Sequence, residues 1–125
     1  MTKTATLSKE DLKKRTKEFA LRIIRLVESL PGSKTSTVIG KQLLRSGTSV
    51  GANYRAACRA RSAADFISKM GIVEEECDET IYWMELLIES NLVKERALAE
   101  LMKEADEIVA IVVSSIKTAR TSRRS

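Results

Sequence analysis

The densest cluster of side chains that could do chemistry is the run Glu74-Glu75-Glu76-Cys77-Asp78-Glu79. Carboxylates at this density raise the question of a metal site. A di-metal carboxylate bundle uses Glu-x-x-His pairs on facing helices, and this chain contains no histidine. No matching pair of inward glutamates stands elsewhere. The run is expected to face solvent or to pair with arginines earlier in the chain, for which Arg45, Arg55, Arg59 and Arg61 are the candidates. Nucleophilic chemistry is no better served. Ser49 and Cys58 have no histidine to act as base, and no spacing marks a Ser–Lys pair. Gly47-Thr48-Ser49-Val50-Gly51 is glycine-rich enough to suggest a phosphate cradle. A P-loop, however, needs a preceding strand and a Gly-Lys-Ser/Thr ending, and both are missing. The expectation is a protein without enzymatic activity, metal or cofactor.

The remaining chemistry is positive charge. Lys13, Lys14, Arg15, Lys17, Arg22, Arg25, Lys41, Arg45, Arg55, Arg59 and Arg61 form a basic set that is the candidate nucleic-acid-binding surface. The net charge of +5 understates it. Residues 1–61 carry 14 Lys and Arg against 4 Asp and Glu, whereas residues 62–125 carry 8 against 13. Such asymmetry lets the two halves attract one another, within a subunit or between subunits, or lets the basic half meet phosphate. Phosphate contact needs only a cationic face, and repetition around an assembly would multiply it. Sequence-specific readout would need more. There is no helix-turn-helix signature, aromatic stacking platform or RNP motif, so any binding is driven by shape and charge.

Composition sets the frame for these groups. A chain of 125 residues makes one domain. The 43% hydrophobic and 31% charged content suits a folded globular protein. One proline and five glycines leave few breaks, so the helices should be long. Aromatics are only 4%, which leaves the core to Leu, Ile, Val, Ala and Met. Cys58 and Cys77 are far apart and form no C-x-x-C, so both read as small buried apolar residues in a reducing compartment. No apolar run approaches the roughly 20 residues a membrane span needs. The N-terminal stretch has no apolar h-region of a signal peptide. A cytoplasmic protein is expected.

Four helices must position the charges. Residues 1–8 read as a flexible tail, with Ser8 as the cap of a helix over about 9–30. Leu12, Phe19, Ile23, Leu26, Val27 and Leu30 form its apolar stripe, and Pro31-Gly32 ends it. A second helix is expected over about 37–60, with Ile39, Leu43, Gly47, Val50, Tyr54 and Ala57 on one face. Ser62-Ala63-Ala64-Asp65, a capping-box variant, opens a third over about 63–89. Its buried spacing is Phe66, Ile67, Met70, Val73, Cys77, Ile81, Met84 and Ile88. The fourth, over about 94–119, buries Leu98, Leu101, Met102, Ala105, Ile108, Val109, Val112 and Ile116. Residues 120–125 read as a disordered basic tail. Four helices with short connections predict an all-α, up-down-up-down antiparallel bundle spanning 9–119.

Two features predict self-association. Each glycine inside a helix costs about 1 kcal/mol relative to alanine, so Gly40, Gly47 and Gly51 in helix two predict a groove where another helix lies close. The stretch Ile81 to Ile88 is apolar nearly all round, and a helix buried on every side in a small bundle needs a second subunit. The candidate interface residues are Gly47, Gly51, Tyr82, Trp83, Leu86 and Leu87.

The same glycine stretch carries a family resemblance. Leu43-Leu44-Arg45-Ser46-Gly47-Thr48-Ser49-Val50-Gly51-Ala52-Asn53-Tyr54 resembles the signature of the bacterial four-helix-bundle proteins, also called the large-subunit ribosomal RNA intervening-sequence proteins. Arg61-Ser62-Ala63-Ala64-Asp65-Phe66-Ile67-Ser68-Lys69-Met70 fits as well, as does Glu75-Glu76-Cys77-Asp78-Glu79 leading into Tyr82-Trp83. The likeness covers about residues 11–119. It implies a left-handed bundle assembled as a ring-shaped homopentamer. Some members are encoded inside intervening sequences of ribosomal RNA genes. A related member is the accessory protein of diversity-generating retroelements, a basic pentamer that binds nucleic acid and its reverse transcriptase. The family supplies no catalytic residues. Two functions are therefore expected in turn. The first is a non-enzymatic oligomeric scaffold binding structured RNA, or DNA, through the basic faces of helices one and two. The second is an adaptor that docks a partner enzyme and uses its charge for assembly.

Overall fold

The first three helices each begin at a serine that caps them. In the computed structural model, which describes residues 8–124, α1 spans Lys9–Glu28, α2 Lys34–Ala57, α3 Ala63–Glu89 and α4 Glu95–Arg124. Ser8 caps α1 with a complete capping box, its hydroxyl accepting from the Asp11 N–H while the Asp11 carboxylate accepts from the Ser8 N–H. Ser33 caps α2 by accepting from the Ser36 N–H, which starts that helix three residues earlier than its sequence suggested. Ser62 caps α3 through the Asp65 N–H. There the box is altered, because the Asp65 carboxylate accepts from the Arg61 N–H. Helix α3 ends at Glu89, and beyond its cap Ser90 the left-handed φ of 63° at Asn91 lets the Leu92 and Val93 N–H groups return to the Leu87 carbonyl.

Two boundaries differ further from expectation. Helix α2 ends at Ala57 rather than near 60, and Arg59 and Ala60 close it with short bonds to the Ala56 and Ala57 carbonyls. Helix α4 does not give way to a disordered tail at 120 but continues to Arg124, where alanine and arginine are good helix formers. The tail expected over residues 1–7 lies outside the described residues.

No strand occurs among the described residues, and the core runs down the middle of four helices. Phe19 and Ile23 of α1, Leu43 and Val50 of α2, Met70, Met84 and Leu87 of α3, and Leu98 and Ile108 of α4 are fully buried. Each such side chain contributes about 1.5–3 kcal/mol by leaving water. Helix α2 packs against both α1 and α3, and α3 packs in turn against α4, while the contact of α4 with α1 is slight.

The α1/α2 seam is a close approach made through glycine. Its register is antiparallel, with Thr16 opposite Gly51, Ile23 opposite Gly47, and Val27 and Leu30 opposite Gly40. A Cβ built on Gly47 would lie 2.8 Å from two carbons of Ile23, and one on Gly51 would lie 3.2 Å from Thr16 Oγ1. The glycine groove is thus filled by α1 of the same chain. This corrects the placing of Gly47 and Gly51 at a subunit interface. Thr16, polar and fully buried, satisfies its hydroxyl on the Leu12 and Lys13 carbonyls.

The apolar stretch of α3 is likewise accounted for within the chain. Leu87 belongs to the core, and Ile81, Trp83, Leu86 and Ile88 pack half-buried against it. That removes Leu87 from any subunit surface. Tyr82 alone of the six expected interface residues is well exposed, at 52%, with its ring edge-on to Trp83 at 5.2 Å.

Candidate nucleic-acid interface

The eleven candidate cations are not equivalent, because the acidic half of the chain reaches only some of them. Arg15 leaves α1 toward α4, where its Nε and Nη2 form a two-pronged contact with Glu104 at 2.6 and 2.8 Å. Nη2 also donates to Glu107 at 2.6 Å. The hydrogen bonds to Glu104, above all, hold the guanidinium charged more firmly than usual against the opposing effect of burial. Arg45 leaves α2 toward α3 and meets Glu76 at 3.1 Å and Glu79. Glu79 also accepts from the Trp83 indole N–H at 3.0 Å, which ties the carboxylate to both helices. Both arginines are therefore occupied inside the chain. The contact between arginines of α2 and the acidic run of α3, foreseen from charge, is made by Arg45 within one subunit.

Lys13 bonds to Glu10 one turn earlier at 3.3 Å, a surface pair of small value. At the α2–α3 connection Arg61 lies beside Asp65, whose carboxyl is held below its ordinary range, first by the hydrogen bond from Lys69 and then by that from the Arg61 N–H. Lys14, Lys17, Arg22, Arg25, Lys41, Arg55 and Arg59 hold no carboxylate partner among the described residues.

The free cations fall into separate places. One groove, of about 450 Å³, follows the α1/α2 seam and is lined by Lys13, Lys14 and Lys17 from α1 and Arg55 from α2, over a floor that includes Ala20, Gly51 and Ala52. A broader depression on the other flank of α1 carries Lys14, Arg22 and Arg25, but it also holds Asp11, Glu18 and Glu104. Lys41 stands beside Pro31 and Gly32, at the far end of the same seam. Arg59 and Arg61 lie exposed on the connection after α2. The eleven residues thus form one convergent group of four, of which Lys13 is paired with Glu10, with the others dispersed or neutralised.

Sequence reading missed what shapes this site. Glu104 and Glu107 are remote in sequence from Arg15, and no local pattern marks them as its partners. Glu10 is the one acid lining the α1/α2 groove.

The other reactive groups offer little chemistry. Burial, followed by the nearby Asp78, Asp106 and Glu104 charges, pushes the Cys77 thiol up to about 12, so it stays protonated at neutral pH. No group of three or more Cys, Asp or Glu among the described residues is placed to hold a metal ion. No described helix is long and apolar enough to cross a membrane.

Fold and surface together define a four-helix protein with a basic α1–α2 side and an acidic α3. The sequence model of the 23S rRNA-intervening sequence protein family matches residues 8–114. The chain belongs to that family. Among solved structures it is similar to a protein of unknown function from the S23 ribosomal protein family of Bacteroides thetaiotaomicron, determined at 1.70 Å. The two share 40% identity over 89% of this chain and 99% of the other, with a TM-score of 0.82. No curated protein matches.

Proposed function

We propose that this chain is a non-enzymatic helical scaffold that binds structured RNA, or other nucleic acid, through the basic side formed by α1 and α2. The observation that carries this reading is the sorting of charge. The acidic half neutralises Arg15 and Arg45, Lys13 pairs with Glu10, and Lys14, Lys17, Arg22, Arg25, Lys41 and Arg55 of the α1–α2 side have no carboxylate partner among the described residues. A protein that used its basic residues for its own stability would pair them. The family's name, which refers to an intervening sequence of 23S rRNA, points to the same class of ligand.

The scaffold reading includes an up-down-up-down course of the helices, supported by the antiparallel α1/α2 register and the short connections at 58–62 and 90–94. It includes a cytoplasmic homopentamer, in which one basic side per subunit would repeat around a ring. Light scattering measures the assembly, and RNA and DNA titrations at two salt concentrations on the same sample measure the contact. A protein neutralising about six phosphates loses about 10³ in affinity between 50 and 200 mM salt. A steep loss of this kind is expected. Affinity that is absent or indifferent to salt would refute the reading.

A second reading is an adaptor that docks a partner enzyme such as a reverse transcriptase. It draws on the exposed apolar side chains Val38, Ile72 and Tyr82 of α2 and α3. Substituting all three with serine is expected to abolish capture of such a partner if that reading holds, and to leave RNA affinity unchanged.

A further inference from the structure

The groove between α1 and α2 has a shape as well as a charge. Its cations stand at one end of the seam, Lys13, Lys14 and Lys17 on one wall and Arg55 on the other. Between the walls the floor is formed by small residues, Ala20, Gly51 and Ala52, with the Thr48 side chain at the edge. The floor is low because α1 and α2 touch there. Gly51 adds no side chain there, and a Cβ on it would point into the seam, 3.2 Å from Thr16 Oγ1. The Thr48 hydroxyl is turned back onto the Leu44 carbonyl at 2.7 Å, which leaves an apolar methyl-lined surface beside the cations. Small side chains beside three ammonium groups and a guanidinium, with the one acid Glu10 already held by Lys13, suit one class of ligand, a phosphate joined to a flat ring. The volume of about 450 Å³ falls within the roughly 300–1,000 Å³ of small-ligand clefts.

We propose that this groove seats one unpaired nucleotide, with its phosphate between Lys17 and Arg55 and its base on the Ala20–Ala52 floor. The inference deepens the nucleic-acid reading and rests on it for the source of the nucleotide, which is a single-stranded segment of RNA or DNA. A free nucleoside triphosphate carries the same chemistry. Duplex is disfavoured at this seat because its bases are stacked inside the helix and offer no face to the floor. The depression on the other flank of α1 is less suited, since three acids, Asp11, Glu18 and Glu104, stand among its cations against the single Glu10 of this groove.

The test is fluorescence anisotropy of the full chain with a labelled 12-nucleotide single-stranded RNA, its abasic counterpart and a duplex of the same length. The paired variants are Lys17→Gln with Arg55→Gln, and Arg22→Gln with Arg25→Gln. Lys17, Arg25 and Arg55 are exposed and Arg22 is half-buried, and circular dichroism checks that each variant folds. Removing the two cations that hold the phosphate is expected to weaken single-strand affinity about tenfold or more in the first variant. The second variant is expected to lose less than about threefold, and the abasic strand to bind the native chain about as weakly as the first variant binds RNA.

If both variants weaken equally, or the abasic strand binds as well as RNA, the seat is refuted while the nucleic-acid reading stands. If the native chain binds no strand at all, that reading fails. The seat is then decided by titrating ATP and following the backbone amides of Gly51 and Ala52 by NMR. Saturable shifts lost in the Lys17→Gln, Arg55→Gln variant keep the seat for a free nucleotide, and their absence overturns it.

Discussion

Arg45 and Arg55 stand ten residues apart on α2, and their surroundings differ in kind. Arg45 looks toward α3, where Glu76 and Glu79 receive it. Arg55 looks toward α1, where Lys13, Lys14 and Lys17 share its groove. The seams beneath them differ in the same sense. Between α1 and α2 the helices touch through glycine, and their polar surface is repulsive. Between α2 and α3 the helices are bridged by polar pairs, at the surface by Arg45 and in the interior by Ser46 and Thr80, whose oxygens lie 2.9 Å apart. Concentrated like charge opposes folding, so the α1/α2 seam must be held by packing alone. The contrast separates cations used for internal pairing from cations left for a ligand.

The comparison breaks most sharply at Gly47. Gly47→Val puts new carbon atoms where Ile23 stands, and the overpacked seam is expected to lose about 3 kcal/mol in urea unfolding. Pairing it with Ile23→Ala should restore part of the loss, because the two side chains compete for one volume. A gain of stability in Gly47→Val alone would mean that α1 does not lie where the seam requires.

The α2/α3 seam is tested from its buried hydroxyls. Thr80→Val keeps the shape but removes the partner of Ser46, with an expected loss of about 1–2 kcal/mol. A second glycine sharpens the point with the opposite sign. A Cβ at Gly71, in the middle of α3, would meet nothing within 4 Å. Gly71→Ala is therefore expected to stabilise the chain by about 1 kcal/mol, measured as a rise in the urea midpoint with an unchanged slope.

The smallest effects on stability belong to the two arginines themselves. Arg45 is 47% exposed, so its pairs are screened by water, and Arg45→Gln is expected to cost about 0.5 kcal/mol. Arg55→Gln should change stability by less than that, since no carboxylate among the described residues pairs with it. Nucleic-acid affinity is expected to rank them the other way, falling in Arg55→Gln and not in Arg45→Gln. Equal losses of affinity would erase the distinction between the two seams.

Much of this architecture was legible in the residues. Periodic apolar spacing picked out Ile23, Leu43, Val50, Met70, Cys77, Met84, Ile108 and Val112, all buried in the structure. Ser8 and Ser62 marked helix starts because a serine hydroxyl can satisfy an orphan N–H. The start of α2 was harder to place, since Ser33 and Ser36 compete for the same role and only the hydrogen bond between them decides. Thr16 and Thr80 escaped the apolar pattern altogether. A threonine in a helix can return its hydroxyl to a backbone carbonyl and then pass for an apolar residue in the core.

By itself the sequence determined the helices, their buried faces and the division of the chain into a basic and an acidic half. These are local properties, set by spacing and residue type. Which helix fills the glycine groove was decided only by the tertiary structure. The spacing of Gly40, Gly47 and Gly51 guarantees a close approach, but a neighbour in the same chain and a neighbour in another satisfy it equally well. The same holds for the cations. Each carries its charge wherever it stands, and its use depends on what the fold places opposite. Glu104 and Glu107 come to Arg15 from 89 and 92 residues away, whereas no carboxylate among the described residues pairs with Arg55.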